Sequence, residues 1–88
     1  MTVEFKKSFA RDLKKINEKQ LLQHLKRIVE EVEQAPNAGA INNLKQIKGG
    51  ENYYRIRIGN YRIGLKLENE TVVFVRFLHR KEIYRYFP

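Results

Sequence analysis

Eighty-eight residues suffice for one compact core and not for two, so residues 1–88 are expected to form a single domain. The absence of cysteine removes disulfides and thiolate metal ligands, no segment reaches the roughly 18 apolar residues that span a bilayer, and Met1–Lys7 lacks the apolar run of a signal peptide. A cytoplasmic setting with no membrane is the expectation, and a net charge of +8 with a pI near 9.9 points to a polyanionic partner.

Thr2-Val3-Glu4-Phe5 alternates polar and apolar residues, which predicts a short first strand. Ser8 is the expected N-cap of a first helix whose apolar stripe is Phe9, Leu13 and Ile16, and Asn17 closes it. Glu18 opens a second helix, in which Leu21, Leu22, Leu25, Ile28, Val29 and Val32 recur at three-four spacing until the chain approaches Pro36. Lys26, Arg27, Glu30, Glu31 and Glu33 form its solvated face, and His24 sits at the boundary of the stripe. The two helices are predicted to form an antiparallel hairpin with one shared apolar side. Residues 35–43 are small and turn-forming, and read as a loop.

From Tyr53 the hydrophobic period becomes two. Tyr54, Ile56 and Ile58 alternate with Tyr53, Arg55 and Arg57; Gly59-Asn60 makes a tight turn. Tyr61, Ile63, Leu65 and Leu67 then alternate with Arg62, Gly64 and Lys66; Asn69-Glu70 makes a second turn, and residues 71–78 a third long strand. The fold class is therefore α+β: a short N-terminal strand, a helical hairpin packed on an antiparallel β-meander (βααβββ), and a short C-terminal tail. Leu25, Ile28, Ile56, Ile63, Leu65 and Val75 are expected inside.

The charge is unevenly distributed. Residues 1–44 carry 8 Lys/Arg against 6 Asp/Glu, a net of +2, whereas residues 45–88 carry 10 against 4, a net of +6. Six of the eight arginines lie in the second half: Arg55, Arg57, Arg62, Arg76, Arg80 and Arg85. With Ile56 and Ile63 facing the helices, Arg55, Arg57 and Arg62 face away from them, close together on neighbouring strands. Like charges gathered on a sheet are destabilising, which suits a site that grips an anion; on a solvated face with no ligand they would splay into water. Tyr53 shares that face and could stack on a base. Lys45 and Lys48 precede it on a loop as RNA-backbone contacts, with Arg76 added to that RNA-binding set.

The runs Asn43-Leu44-Lys45, Tyr53-Tyr54-Arg55-Ile56-Arg57-Ile58-Gly59-Asn60-Tyr61-Arg62-Ile63 and His79-Arg80-Lys81-Glu82-Ile83-Tyr84-Arg85, in this order and spacing, resemble the RelE/ParE toxin superfamily, and its RelE branch in particular. The resemblance spans essentially the whole chain. It implies the toxin of a type II toxin–antitoxin system, a ribosome-dependent mRNA endoribonuclease held inactive by a cognate antitoxin. It also implies no metal and no cofactor, with the ribose 2′-hydroxyl attacking the adjacent phosphate. Such chemistry needs a base, charge stabilisation at the phosphoryl oxygens and an acid for the leaving 5′-oxygen. Carried over by position, Arg62 and Arg80 fall on phosphate-binding arginines, Arg55 and Arg57 on basic positions of the first meander strand, and Tyr84, with Tyr86 competing, near a C-terminal catalytic tyrosine.

Some relatives carry lysines where Arg55 and Arg57 stand. An arginine cannot act as a base, so that role passes to Tyr84 or His79, and an imidazole, which titrates near neutrality, is chemically the better suited. In the other reading His79 merely ends a strand. Two further functions remain open on the same fold: a ParE-like toxin that inhibits a DNA topoisomerase without cutting nucleic acid, and a plain RNA-binding module. The cluster of Arg55, Arg57, Arg62, Arg80 and Tyr84 discriminates, since a non-nucleolytic toxin does not need it.

Overall fold

In a computed structural model, which describes every residue except Lys48 and Gly50, the alternating segments form one five-stranded sheet. The reading of Lys48 as an RNA contact lies outside the described residues. In chain order the elements are β1 (Thr2–Phe5), α1 (Lys7–Lys14), α2 (Lys19–Gln34), β2 (Leu44–Gln46), β3 (Tyr53–Ile58), β4 (Tyr61–Glu68), β5 (Thr71–His79) and α3 (Ile83–Tyr86). The spatial order is β1-β5-β4-β3-β2. The meander β3–β4–β5 is antiparallel as expected, while β1 pairs in parallel with β5, Thr2 opposite Thr71 and Phe5 opposite Phe74. The fold is α+β with a mixed sheet.

Both hairpin turns are two-residue loops. Gly59 (φ 60°) takes the left-handed position between Ile58 and Tyr61, and Asn69 (φ 57°) takes it between Glu68 and Thr71. One face of the sheet buries Ile56, Ile58, Ile63, Leu65, Val72, Phe74 and Phe77 against Phe9 of α1 and Leu25 and Val32 of α2. Ile28, Leu13, Ile16 and Leu21 complete this layer as half-buried residues.

Several local expectations are corrected. Lys6, with no side-chain bond, occupies the N-cap of α1, and the helix ends at Lys14 rather than Asn17. Ser8 instead donates its hydroxyl to the Val75 carbonyl at 2.6 Å. The reason lies in β5. Its pairing with β1 ends at Phe74, whose carbonyl receives the Lys6 N–H at 2.9 Å. Beyond that point its outward backbone groups would be orphaned, and α1 supplies partners. Ser8 serves Val75, and buried Asp12 (4% exposed) accepts the Phe77 N–H at 2.9 Å.

Residues 35–43 contain a short 3₁₀ turn at Ala38–Ala40, and the chain then forms an edge strand, β2, that sequence reading placed in a loop. Val75, expected among the helix-facing residues, lies on the opposite face. Gly64 pairs with Arg76 and Leu65 with Phe74, so β5 bulges at Val75. That extra residue puts Phe74 and Phe77 on the same side and turns Val75 to a second apolar cluster, where the tail docks. There Ile47, Ile83 and Phe87 are buried with Tyr53, Val75 and Leu78 packed around them.

Candidate functional site

The tail-bearing face of the sheet carries the arginines. Ile56 and Ile58 are buried under the helices, so Arg55 and Arg57 between and beside them project the other way. Register then brings the basic residues side by side. Lys45 of β2 lies opposite Arg55, and Arg57 lies opposite Arg62 across the Gly59–Asn60 turn. Arg80 follows β5 directly, and its N–H is held by the Asn60 carbonyl at 2.7 Å, which ties it to the same turn.

Arg62 is the centre of this group. It is only 7% exposed, and its Nη1 donates to the carbonyls of Gly59 (2.9 Å) and Tyr61 (2.8 Å), so one edge of the fork is fixed by the turn it follows. Burial lowers its pKa from the ordinary arginine value, and the like charges of Arg57, Arg55 and Arg80 lower it further, while Tyr84 acts in the opposite sense. The guanidinium nevertheless stays charged, because arginine has no accessible neutral form. Among the described residues the ion pairs are Lys66–Glu68 and Arg76–Asp12, so Arg55, Arg57, Arg62 and Arg80 have no carboxylate partner. Four clustered cations, one of them buried and oriented by the backbone, have the chemistry to hold an anion such as a phosphate.

Tyr84 is delivered to this group by the tail. Ile83 and Phe87, four residues apart, point into the second cluster and leave Tyr84 59% exposed, where its charge acts on Arg62. Phe87 lies flat on Gly64, where an added Cβ would meet its ring at 2.8 Å. Gly64 faces the tail from the same side of β4 as Arg62, so the close approach fixes the tail beside the arginines. Tyr86 is oriented elsewhere, with its ring under Arg76 at 6.0 Å and Arg85 at 5.5 Å. Of the two tyrosines, Tyr84 is the one whose charge acts on Arg62.

Two residues named from sequence are placed differently, and a third keeps its face but is packed by the tail. His79 lies opposite Tyr61, its ring 5.5 Å away, on the helix-facing side of the sheet. It lines a cleft with Glu18, Leu21 and His24, and its Nδ1 accepts the Lys81 N–H at 3.2 Å. The structure does not bring it to the arginines. Arg76 is bound in a two-pronged pair to Asp12, through Nε (2.8 Å) and Nη2 (3.1 Å), rather than presented to a ligand. Tyr53 sits on the arginine face but packs edge-on to Phe87 at 5.4 Å, with Lys66 over its ring at 5.7 Å. Lys45 is exposed and available. Sequence reading overlooked Asp12, Gly64 and the anchors Ile83 and Phe87. The i, i+4 apolar pair in an otherwise polar tail was the available sign of a docked segment.

Comparison with known proteins gives the family. Residues 3–84 match the family model for the ParE toxin of type II toxin–antitoxin systems, parDE. The chain is 47% identical over 92 residues to Toxin RelE3 of Methanocaldococcus jannaschii, covering all of both chains. It superposes on a chain of the RelB–RelE antitoxin–toxin complex from Methanococcus jannaschii with a TM-score of 0.79 at 43% identity, covering 97% of this chain and 99% of that one. The fold is shared with a chain of the archaeal RelE–RelB complex from Pyrococcus horikoshii, at a TM-score of 0.71 and 17% identity over 90% of this chain and 93% of that one. The chain therefore belongs to the ParE-toxin family of type II toxin–antitoxin systems, and within it to the RelE branch.

Proposed function

We propose that this toxin is an endoribonuclease that cleaves messenger RNA on the ribosome and so inhibits translation. The observation that carries the reading is Arg62, buried and tied to its own turn, with the charges of Arg55, Arg57, Arg80 and Tyr84 all acting on it. In the reaction the ribose 2′-oxygen attacks the neighbouring phosphorus and the bond from phosphorus to the 5′-oxygen breaks. The attacking hydroxyl loses a proton and the leaving oxygen gains one. Arg62 and Arg80 stabilise the charge that grows on the non-bridging oxygens, with Arg57 and Arg55 holding the flanking backbone. Tyr84 is the proton-transfer group, since no arginine can give up its proton to a neutral form and His79 is on the other side of the sheet. Lys45 extends the track along β2 for the RNA strand, and Tyr53 borders it.

The partners follow from relatives. The two archaeal RelE structures are complexes with RelB antitoxins, and this chain is expected to bind a cognate antitoxin of its own. An acidic or amphipathic segment fits the basic face. Among the described residues no helix is long and apolar enough to cross a membrane, and action on translating ribosomes places the toxin in the cytoplasm.

The family model carries the ParE description, which favours a second reading as a non-nucleolytic topoisomerase inhibitor. Primer extension on a translated message after induction separates the two. In-frame cuts that vanish with Arg62→Ala are the expected result. An uncut message in cells that accumulate broken DNA would replace the nuclease reading with the inhibitor. Within the nuclease reading, Tyr84→Phe is expected to slow single-turnover cleavage far more than His79→Gln, and the reverse ranking would return the proton-transfer role to His79.

A further inference from the structure

The charge of Tyr84 acts on Arg62 only while the tail keeps its place, and the tail has two attachments. The first is apolar, through Ile83 and Phe87. The second is ionic and starts on α1, an element that otherwise takes no part in the arginine face. Asp12 is 4% exposed and binds three donors: the Phe77 N–H and Arg76 Nε through Oδ2, and Arg76 Nη2 through Oδ1. The carboxylate thus clamps the guanidinium by one edge while the backbone of β5 fixes the carboxylate. The held cation lies 6.0 Å from the Tyr86 ring centroid. Arg76 also feels Glu82, just before α3, so one cation faces groups at both ends of this turn of helix. It stands directly opposite Gly64, the residue on which Phe87 rests, at the bulge that turns Val75 toward the tail. Ionic and apolar attachments meet at one spot on the sheet.

We propose that Asp12 and Arg76 are positioning residues that orient a cation against α3 and so hold the tail in the pose that presents Tyr84 to Arg62. The effect on turnover rests on the nuclease reading, whereas the effect on the tail rests on this geometry alone. A salt bridge that merely stabilised α1 against β5 would change melting temperature and leave the tail as tight as before. A positioning pair changes the tail first, and a tail displaced by about 1 Å is enough to slow a reaction by an order of magnitude or more.

The test measures amide hydrogen exchange of the peptide spanning residues 81–88 together with single-turnover cleavage on programmed ribosomes. Arg76→Gln and Asp12→Asn are expected to speed exchange in the tail severalfold. They should lower the maximal cleavage rate about tenfold and shift the half-saturating ribosome concentration less than twofold. Tyr86→Leu leaves the Asp12–Arg76–Phe77 bonds in place, so it should loosen the tail and slow cleavage with an unchanged melting temperature. Arg76→Lys keeps a cation beside Tyr86 without the fork and should restore part of the protection. Should Asp12→Asn not fold, Arg76→Gln and Tyr86→Leu decide the matter. Tail exchange equal to wild type in both of those variants would overturn the proposal, as would a loosened tail with undiminished cleavage. A wild-type protein that cuts no RNA, but whose tail loosens in these variants, would remove the nuclease reading and leave the tail's dependence on the pair established.

Discussion

Arg57 and Arg62 oppose one another across a two-residue hairpin, a pairing that costs roughly 0.2–1 kcal/mol for like charges directly opposite on a sheet. A scaffold selected for stability alone would place a neutral residue at one of the two positions. Arg57→Ala is accordingly expected to raise the melting temperature by a few degrees, since about 1 kcal/mol shifts a chain of this size by roughly 4–8 °C, and calorimetry would record it. The same change should lower cleavage, a trade of stability against activity at one residue. Arg62→Ala should be more severe for activity, because it removes the preorganised donor, with a loss on the order of 10²–10³ in single-turnover rate. A melting temperature that falls with Arg57→Ala would show that the two cations do not repel each other. Residue-scale reading from sequence worked where parity alone decides: Arg55, Arg57 and Arg62 project together because Ile56 and Ile63 do not. It misled for His79, although Phe77, two residues earlier and on the core side, already implied the same side for His79. It misled for Arg76 because the residue that claims it, Asp12, lies 64 positions away in the chain.

At the scale of elements, the strands with sustained alternation and the long second helix were legible, and two features were not. β2 is three residues long and draws its partner from β3, so Leu44-Lys45-Gln46 offers no period of its own to read. The parallel pairing of β1 with β5 is likewise non-local. The bulge left a trace, since Phe74 and Phe77 are three apart and an unbroken strand would bury only one of them. That bulge, Gly64 and the tail act as one device, and their coupling can be measured. Gly64→Ala puts a methyl into the Phe87 ring and should release the tail, while Phe87→Ala, which by itself costs about 3 kcal/mol if the site does not collapse, vacates the space that the methyl needs. The two losses should therefore be far from additive in a double-mutant cycle on stability, with the pair close to Phe87→Ala alone. Additive losses would mean that Phe87 does not rest on Gly64. Tyr84 should lose its function in either single variant, because the turn that carries it is anchored on both sides by Ile83 and Phe87.

For the whole molecule, the division of charge along the sequence becomes a division between faces. The first half, with a net of +2, supplies the helical layer, where basic and acidic residues nearly balance; the second half, with +6, supplies the sheet face where Lys45, Arg55, Arg57, Arg62 and Arg80 gather. Such an asymmetry should appear in the salt dependence of binding. For single strands each neutralised phosphate contributes about −0.7 to the slope of log affinity against log salt, so five contacts predict roughly −3.5 for a short single-stranded RNA probe. Lys45→Ala should bring that slope closer to zero by about 0.7 and weaken binding moderately, whatever the sequence of the probe. Lys26→Ala removes an equal charge from the exposed side of α2 and should leave the slope unchanged. Equal effects from the two substitutions would mean that the probe responds to net charge alone, and the arginine face would lose its claim to be the RNA track. A slope that Lys45→Ala alters and Lys26→Ala does not would instead locate the polyanion on the face where Tyr84 waits, which a protein with a uniformly basic surface could not produce.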